Sequence, residues 1–385
     1  MIVRYRSMAA DRVRIDAFRR AIRSVVRPGD VVVDLGTGLG TYAVFACQAG
    51  ARRVYAIERD DIILAAAEIA KRNGCADRIV FVRGDALSVR LPERADVVVT
   101  EDFSPTFADG ETEQLLFRAR RRFLKPAGRV IPQQVTIFAA PAHCPALYAR
   151  IDQWSASHDV AYSVDFSPSR EMAVNCVHKA ELRAADLVAP AKDAHSVNLA
   201  QPSVFPFDRS LRFRARKSTL VHGIAVWFEA RLAPRVRLTN APGSPPTLWG
   251  QAFLPLRAPI PVRRRSLVAV DLAVRFSRDS RRAWWQWEVH AGGHTTDGST
   301  FRSFPTSLGD LEAGARDRRP GLSPHGEHTA CVLQMLKAGS TILESARELR
   351  RRFPARFVCL RDAVCRAAAD ARRYGRLPEV RGDLP

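Results

Sequence analysis

Lysine is scarce in this chain of 385 residues: of the 60 basic side chains, only 6 are lysine and the rest are arginine. Acidic residues number 40, which leaves a formal net charge of +20. Such a surface attracts phosphate, nucleic acid or acidic protein. The chain nevertheless lacks an aromatic-interleaved basic stretch of the kind that stacks bases. The arginine excess is typical of coding bias, and a nucleic-acid partner is not predicted.

Long hydrophobic runs are missing as well. The longest, Leu220–Phe228, is interrupted by His222 and Gly223 and is much shorter than the roughly 20 apolar residues that cross a bilayer. The N-terminal residues, MIVRYRSMAADR, lack the apolar core of a secretory signal. We therefore expect a soluble, cytoplasmic protein without a membrane partner.

Cysteine and histidine do not form clusters at metal-ligand spacing. The seven cysteines are scattered and include no C-x-x-C pair, and Cys359 and Cys365 have no histidine partners. His290 and His294 share the turn AGGHTTDG without a third ligand. Reduced, structural thiols and no bound metal are expected.

The first 132 residues alternate short apolar runs with helical periodicity. Helical spacing predicts a first helix over Met8–Val26. Apolar runs then predict buried strands at Val31–Val33, Val54–Ile57, Ile79–Val82 and Val97–Thr100, with helices between them. Strands that alternate with helices indicate an α/β fold with a doubly wound, largely parallel sheet, which we assign to residues 1–132.

The pattern changes after Pro132. Residues 133–305 mainly show period-two alternation with turns rich in proline and glycine, which predicts an antiparallel β domain. Residues 306–327 are rich in Gly, Pro, Arg and Asp and are interpreted as a linker. Residues 328–385 have helical periodicity and predict a small helical domain.

A glycine-rich turn directly follows the first predicted strand and opens a helix. Its residues are Asp34, Gly36, Gly38 and Gly40. Glycines allow the backbone to turn tightly and to approach a ligand closely. The spacing is G-x-G-x-G with an aspartate before it, which favours S-adenosylmethionine over a dinucleotide.

Two further strand ends support a cofactor site. Glu58 ends the second strand, where an acidic side chain can accept hydrogen bonds from both hydroxyls of a ribose. Asp85 and Ala86 follow the third strand, where an adenine ring would lie. The sequence therefore predicts a binding site for S-adenosylmethionine along one edge of the sheet.

At these residues the chain resembles the protein arginine N-methyltransferase family. VVVDLGTGLG and AGARRVYAIE resemble its cofactor motifs, and LKPAGRVIPQQVTIFAAP resembles its passage from the Rossmann-like domain into the β-barrel. MAADRVRIDAF resembles its N-terminal helix, so that Arg14 takes the role of the arginine that holds the cofactor carboxylate. The family's additional helix over the cofactor has almost no counterpart ahead of Met8, so the cofactor is expected to be more open or covered from elsewhere.

The resemblance also implies an acceptor site in TEDFSPTFADGE. Methyl transfer to a guanidinium requires carboxylates that hold and polarise it. Glu101, at the end of the fourth strand, matches the first of the family's two glutamates. The second would fall on Gly110, one residue before Glu111. We assign the role to Glu111, which is expected to lie on a loop, with Glu113 as the alternative.

The barrel loop PPTLWGQAF departs from the family pattern Thr-His-Trp. It supplies Thr247 and Trp249, whereas Leu248 stands where the family has a histidine that pairs with the aspartate equivalent to Asp11. Trp249 can form an aromatic wall beside a guanidinium; plain barrel core is the alternative. Loss of the histidine allows three interpretations: the pairing is dispensable, the site serves a different acceptor, or activity is lost.

Two segments carry expectations about partners. Residues 154–175 resemble the family's dimerisation arm, which implies a homodimer; a long surface loop is the alternative. LQMLKAGSTILESARELRRRF, in the C-terminal domain, resembles small winged-helix modules that bind peptides, the alternative being a stabilising cap on the barrel.

These observations predict an S-adenosylmethionine-dependent N-methyltransferase that acts on arginine in a protein or peptide and releases S-adenosylhomocysteine. One rival is a methyltransferase of a small guanidine, amine or hydroxyl compound. A second rival is a non-catalytic protein that binds the cofactor or a peptide. The sequence does not specify the acceptor or the degree and symmetry of methylation.

Overall fold

The computed structural model describes residues 2–109, 111–154, 166, 168–199, 201, 206–276, 283–304, 319 and 321–375. The chain divides into two compact units, one formed by the residues up to 305 and the other by residues 306–379. Among the described residues, no helix has the length and apolar character needed to span a membrane.

A five-stranded parallel sheet forms the first part of the larger unit. Its strands are β1 (Val31–Leu35), β2 (Arg53–Glu58), β3 (Ile79–Arg83), β4 (Ala95–Thr100) and β5 (Leu124–Ile131), in the order β3-β2-β1-β4-β5. β1 is buried along its whole length, as its run of β-branched residues predicts. The chain changes direction across the sheet between β1 and β4, which is where such sheets bind ligands.

The helices of this part are α1 (Ile2–Ala10), α2 (Arg12–Val25), α3 (Thr41–Gln48), α4 (Ile63–Arg72) and α5 (Glu111–Phe123). The single helix predicted over residues 8–26 is wrong in one respect, since the structure divides it at Asp11. The Asp11 side chain accepts a hydrogen bond from the Arg14 amide at 3.1 Å. This N-cap ends the first helix and starts α2 anew.

Two antiparallel sheets follow. The first contains β6 (Gln134–Ala142), β7 (His178–Ala180), β8 (Lys192–Asn198), β10 (Thr219–Ala233), β11 (Val236–Thr239) and β12 (Gln251–Val262). The second contains β9 (Phe207–Arg214), β13 (Leu267–Phe276), β14 (Ala283–Ala291) and β15 (His294–Ser299). Their inward-facing apolar side chains share a core, as the period-two pattern predicts.

The segment expected to form a dimerisation arm, residues 154–175, is described only in part. α6 (Pro145–Asp152) leads into it and α7 (Pro168–Ala173) lies within it. Residues 155–165 and 167 lie outside the described residues. The assignment of this segment as an arm stays a prediction.

The second unit contains α8 (Pro324–Lys337), α9 (Ile342–Arg352) and α10 (Leu360–Tyr374), which pack around a small apolar core. α8 begins inside the predicted linker 306–327, because Ser323 accepts a hydrogen bond from the Gly326 amide at 3.1 Å and a proline fits the first helical position. The described residues of this unit include no strand. A winged-helix module and the other domain boundaries stay predictions.

Candidate cofactor and acceptor site

The glycine-rich turn between β1 and α3 is tied to the neighbouring strand. The amides of Gly36 and Thr37 both donate to the Ile57 carbonyl at 3.0 Å, and the Thr37 hydroxyl donates to Asp34 Oδ2 at 2.5 Å. Positive φ angles occur at Gly36 (67°), Gly38 (54°) and Gly40 (77°). These angles favour glycine, so the turn has the shape that its sequence predicts.

The N-terminal helix α1 lies over this turn. A Cβ atom added at Gly38 would lie 3.0 Å from Cε1 of Tyr5. A short helix ahead of Asp11 thus places an aromatic ring beside the turn. Whether the cofactor is more open or covered from elsewhere stays a prediction.

Glu58 ends β2, and its carboxylate faces backbone amides. Oε2 accepts from the Gly38 amide at 3.0 Å, and Oε1 accepts from the amides of Arg59 at 2.8 Å and Asp60 at 3.1 Å. A carboxylate has about four acceptor sites, so this one retains capacity for a further donor. The side chain thus both fixes the turn and presents an acceptor at the sheet edge.

Asp85 and Ala86 follow β3 at the same edge. Oδ1 of Asp85 accepts from the Leu87 amide at 2.8 Å and stabilises the local turn. Asp85 is exposed and Ala86 half-buried. Proceeding across the sheet edge from β3 to β4, the structure places Asp85, Glu58, Asp34 and Glu101 in succession.

Arg14 and Glu101 form a buried ion pair. Arg14, 3% exposed, lies in the first turn of α2. Its Nη1 donates to Glu101 Oε2, and its Nη2 donates to the Met8 carbonyl. The structure thus brings together an arginine predicted to hold the cofactor carboxylate and a glutamate predicted to hold the acceptor, so the two predicted sites adjoin.

Burial controls the ionisation of Glu101. It raises the pKa of the Glu101 carboxyl to about 7, with Arg14 lowering that pKa and Asp102 raising it. Burial likewise raises the pKa of Asp34 to about 6, against the opposing hydrogen bond from Thr37. Both carboxyls therefore titrate close to neutral pH.

Glu111 is the first residue of α5, and the prediction that it lies on a loop is wrong. The cause is a helix cap, because Asp109 Oδ1 accepts a hydrogen bond from the Thr112 amide at 2.9 Å. Gly110 and the side chains of Glu111 and Glu113 lie outside the described residues. The choice between the two glutamates stays a prediction.

The barrel loop reaches the N-terminal helix despite its missing histidine. The Leu248 amide donates to Asp11 Oδ2 at 2.9 Å. Because the donor is a backbone group, Asp11 retains a partner from this loop whichever side chain occupies position 248. The aspartate predicted to lack its partner is thus hydrogen-bonded.

Trp249 joins the barrel to the acceptor segment. Its ring stacks on Phe103 with the ring centroids 5.0 Å apart, and its Nε1 donates to the Phe103 carbonyl at 2.8 Å. Cζ of Arg14 lies 5.8 Å from the centroid of the same ring. The residue therefore borders the ion pair while packing against aromatic core.

Two residues that sequence reasoning missed also hold the segment after β4. Asn240, 1% exposed, donates to the Pro105 carbonyl at 2.9 Å and to the Gly250 carbonyl. Trp285 donates to the Ala108 carbonyl at 3.1 Å. A buried asparagine in a β domain is the sequence signal that could have indicated such a junction.

Several buried polar atoms at the site have no hydrogen-bond partner within the described part of the chain. They are Asp34 Oδ1, Arg14 Nε, the Tyr42 hydroxyl and Thr247 Oγ1. Unsatisfied buried groups are rare in folded proteins, and a group of them at one site indicates a polar ligand. Tyr42 was missed by sequence reasoning, although its place just after the glycine-rich turn is a signal.

A cluster with metal-ligand chemistry occurs on the outer side of the second antiparallel sheet. Asp271, Glu288 and His290 place one potential ligand atom each within 4.8 Å of one another, and all three are partly exposed. His290 Nε2 lies 3.5 Å from Asp271 Oδ2, which is the geometry of a surface ion pair. The absence of a bound metal stays a prediction.

Comparisons with known families agree with the two parts of the larger unit. The profile of the arginine methyltransferase oligomerization subdomain matches residues 133–285. The profile of the ribosomal protein L11 methyltransferase matches residues 19–103. A methyltransferase profile thus matches the α/β part of the chain, and an arginine-methyltransferase profile matches the β domain that follows it.

Curated relatives extend the match. The chain is 28% identical over 284 residues to protein arginine N-methyltransferase 6 of Xenopus tropicalis, covering 70% of this chain and 83% of the relative. It is 24% identical over 326 residues to a probable protein arginine N-methyltransferase 6 of Arabidopsis thaliana, covering 72% and 74%.

Solved structures confirm the predicted fold class. The Trypanosoma brucei PRMT1 enzyme–prozyme heterotetrameric complex with AdoHcy matches with a TM-score of 0.69 at 21% identity, covering 77% of this chain and 97% of that one. Arabidopsis thaliana protein arginine methyltransferase 10 gives 0.68 at 22%, covering 78% and 98%. With the glycine-rich turn, the sheet edge and both family profiles in agreement, the resemblance of this chain to the protein arginine N-methyltransferase family is confirmed.

Proposed function

We propose that this chain is an S-adenosylmethionine-dependent N-methyltransferase that modifies the guanidinium of arginine in a protein or peptide. The observation that carries the proposal is the position of Glu101. It lies at the same sheet edge as the glycine-rich turn and Glu58, buried beside a guanidinium that Arg14 already supplies. A carboxylate that binds one guanidinium here has the chemistry to bind another.

The residues present fit the cofactor. Asp34 Oδ1 and Arg14 Nε are buried and make no hydrogen bond within the described residues, and they offer an acceptor and a donor to the amino-acid half of the molecule. Glu58 retains acceptor capacity for the ribose. The structurally similar Trypanosoma brucei PRMT1 complex contains AdoHcy, the demethylated form of the same cofactor. When bound, the cofactor supplies an electrophilic methyl group on a sulfonium.

Glu101 positions the acceptor. Its carboxylate accepts hydrogen bonds from a guanidinium, which fixes the attacking nitrogen and concentrates electron density on it. Methylation of a guanidinium releases one proton, since both the acceptor and its methylated product are cations. With burial raising its pKa to about 7, the Glu101 carboxyl can take that proton near neutral pH.

Trp249 and Asn240 preserve the shape of the acceptor side. Trp249 stacks on Phe103, two residues beyond Glu101, and Asn240 binds the Pro105 carbonyl. These contacts hold the chain after β4 from the barrel side, so the acceptor carboxylate is preorganised by two parts of the fold. The second carboxylate is proposed to be Glu111, with Glu113 as the alternative.

The same proposal includes a cytoplasmic homodimer. Support for oligomerisation comes from the matched oligomerization subdomain at residues 133–285. The dimeric state and the location rest on the sequence reasoning alone. Deleting residues 155–165 should reduce the mass measured by analytical ultracentrifugation by half while circular dichroism stays unchanged. An unchanged mass in a folded protein would exclude this segment as the arm.

Methyl transfer from S-adenosylmethionine with a radiolabelled methyl group tests the activity. The purified chain is incubated with an arginine-rich peptide, with free small guanidines and with soluble lysate, and the labelled species are mapped by mass spectrometry. Label on arginine of a peptide or protein supports the proposal. Label only on a small compound moves the assignment to the small-molecule rival. Cofactor binding without any label indicates a non-catalytic protein.

A further inference from the structure

Tyr42 is a rigid aromatic residue beside the reaction site. It is the second residue of α3 and is 7% exposed. Its ring stacks on Phe18, with the ring centroids 4.8 Å apart and the planes inclined by 27°. The packing holds the ring in place, so the position of the hydroxyl is set by the fold.

The Tyr42 hydroxyl is buried without a hydrogen-bond partner in the described part of the chain. Burial of the hydroxyl raises the pKa of Tyr42 well above its usual value; Glu101 raises it further, whereas Arg14 lowers it. The same atom therefore lies within electrostatic reach of both members of the buried ion pair. A buried phenol that lacks a partner is unfavourable, whereas phenylalanine would keep the ring packing without that cost.

The order of groups along the sheet edge identifies the part of the ligand that meets Tyr42. Glu58 on β2 is the acceptor expected at the ribose, and Asp34 on β1 comes next in the direction of Glu101 on β4. Tyr42 interacts electrostatically with Asp34, Arg14 and Glu101. The amino-acid half of the cofactor, which extends from the ribose toward the acceptor, is thus the half nearest to this hydroxyl.

We propose that the Tyr42 hydroxyl donates a hydrogen bond to the carboxylate of the cofactor's amino-acid half, alongside the guanidinium of Arg14. The inference rests on the proposed function. A phenol and a guanidinium are both donors suited to a carboxylate. The Arg14–Glu101 pair already engages one edge of the guanidinium, whereas Arg14 Nε and the Tyr42 hydroxyl make no hydrogen bond within the part of the chain that the structure describes.

Two ligands separate this contact from a general effect on the pocket. S-adenosylhomocysteine has the amino-acid half, and 5′-methylthioadenosine has the adenine and ribose but not the amino acid. Calorimetry on the full chain should show Tyr42→Phe weakening S-adenosylhomocysteine binding by about tenfold, the scale of one hydrogen bond to a charged group. Binding of 5′-methylthioadenosine should be the same in both proteins.

Thermal unfolding without ligand gives a readout independent of binding. Tyr42→Phe should leave the Tm unchanged or raise it, because the change removes an unsatisfied buried group. Tyr148→Phe is the matched control, since the Tyr148 hydroxyl donates to the Arg257 carbonyl at 3.0 Å. That substitution should lower the Tm and leave S-adenosylhomocysteine binding unaltered.

The outcomes distinguish the inference from the function on which it rests. Absence of S-adenosylhomocysteine binding by the wild-type protein would overturn both. Wild-type binding that Tyr42→Phe does not weaken would overturn the inference alone, as would equal weakening for both ligands. A Tm lowered as in Tyr148→Phe would mean that the hydroxyl is already satisfied by water, and would also overturn it.

Discussion

The cofactor side and the acceptor side of the site are assembled in different ways. On the cofactor side, the Gly38 amide binds Glu58 over a separation of 20 residues. On the acceptor side, Arg14 and Glu101 are 87 residues apart, and the Leu248 amide and Asp11 are 237 residues apart. The glycine-rich turn and Glu58 of the first side are formed by one β-α-β unit, whereas the second side, which Arg14 joins to the cofactor, requires the helix, the sheet and the barrel together.

The difference indicates which side depends on long-range packing. A β-α-β unit fixes its own turn through backbone hydrogen bonds, so its carboxylate is placed whenever the sheet forms. The acceptor carboxylate is flanked by a separate helix and by Trp249 from the barrel. Changes on the acceptor side should therefore affect turnover with cofactor affinity preserved, and changes on the cofactor side should do the reverse.

The largest effect is expected at Glu101. Glu101→Gln keeps the shape and removes the charge that holds a cationic acceptor, so single-turnover methylation should slow by about 100-fold or more. Binding of S-adenosylhomocysteine should change by less than about threefold. Full activity in this variant would mean that no guanidinium is held here, and the arginine assignment would then be dropped.

A second prediction compares the two candidates for the second carboxylate, Glu111 and Glu113, with Glu101. Glu111→Gln should slow turnover less than Glu101→Gln, because Glu101 is anchored directly to a strand and Glu111 follows a loop. Glu113→Gln is the matched control and should stay active. An inactive Glu113 variant beside an active Glu111 variant would move the role to Glu113.

The pH dependence gives the next effect. Because burial raises the pKa of Glu101 to about 7, the carboxylate that holds a cation is lost as pH falls through that value. For the free enzyme, kcat/KM should thus fall by about tenfold per pH unit well below pH 7. Carbon-13 NMR of labelled glutamate, with Glu101→Gln to assign the signal, tests whether Glu101 is the group that titrates. A profile that is flat from pH 6 to 8 would contradict it.

A smaller effect is expected on the cofactor side. Glu58→Ala removes an acceptor for the ribose and frees the Gly38 amide, so S-adenosylhomocysteine should bind about 5–30-fold more weakly, corresponding to roughly 1–2 kcal/mol. Since 5′-methylthioadenosine keeps the ribose, its affinity should fall equally, unlike the result expected for Tyr42→Phe. Unchanged calorimetric affinity would remove Glu58 from the cofactor site.

The smallest effect is expected at Leu248. The bond to Asp11 comes from the backbone amide, so Leu248→His should change kcat/KM for a peptide by less than about threefold, with Leu248→Ala as the control. A gain of tenfold or more in the histidine variant alone would show that the side-chain pairing found in the family is needed for full activity here.

Sequence reasoning predicted the local features because local backbone geometry sets them. The glycines at positive φ, the strand that ends in Glu58 and the period-two β domain each follow from residue type at fixed spacing. It predicted less well where a side chain caps a helix. Asp11 divided the first helix and Asp109 placed Glu111 at a helix start, because one hydrogen bond to a backbone amide outweighed the periodic pattern.

The sequence by itself determined the resemblance to the family, the order of the α/β part and the β domain along the chain, and which carboxylates end the strands of the sheet. Only the tertiary structure decided that Arg14 pairs with Glu101, that the Leu248 amide binds Asp11, and that the Tyr42 hydroxyl makes no hydrogen bond within the described residues. The reason is distance along the chain. Periodicity reports contacts within a few residues, whereas these contacts form when helix, sheet and barrel exclude water between residues far apart in the sequence.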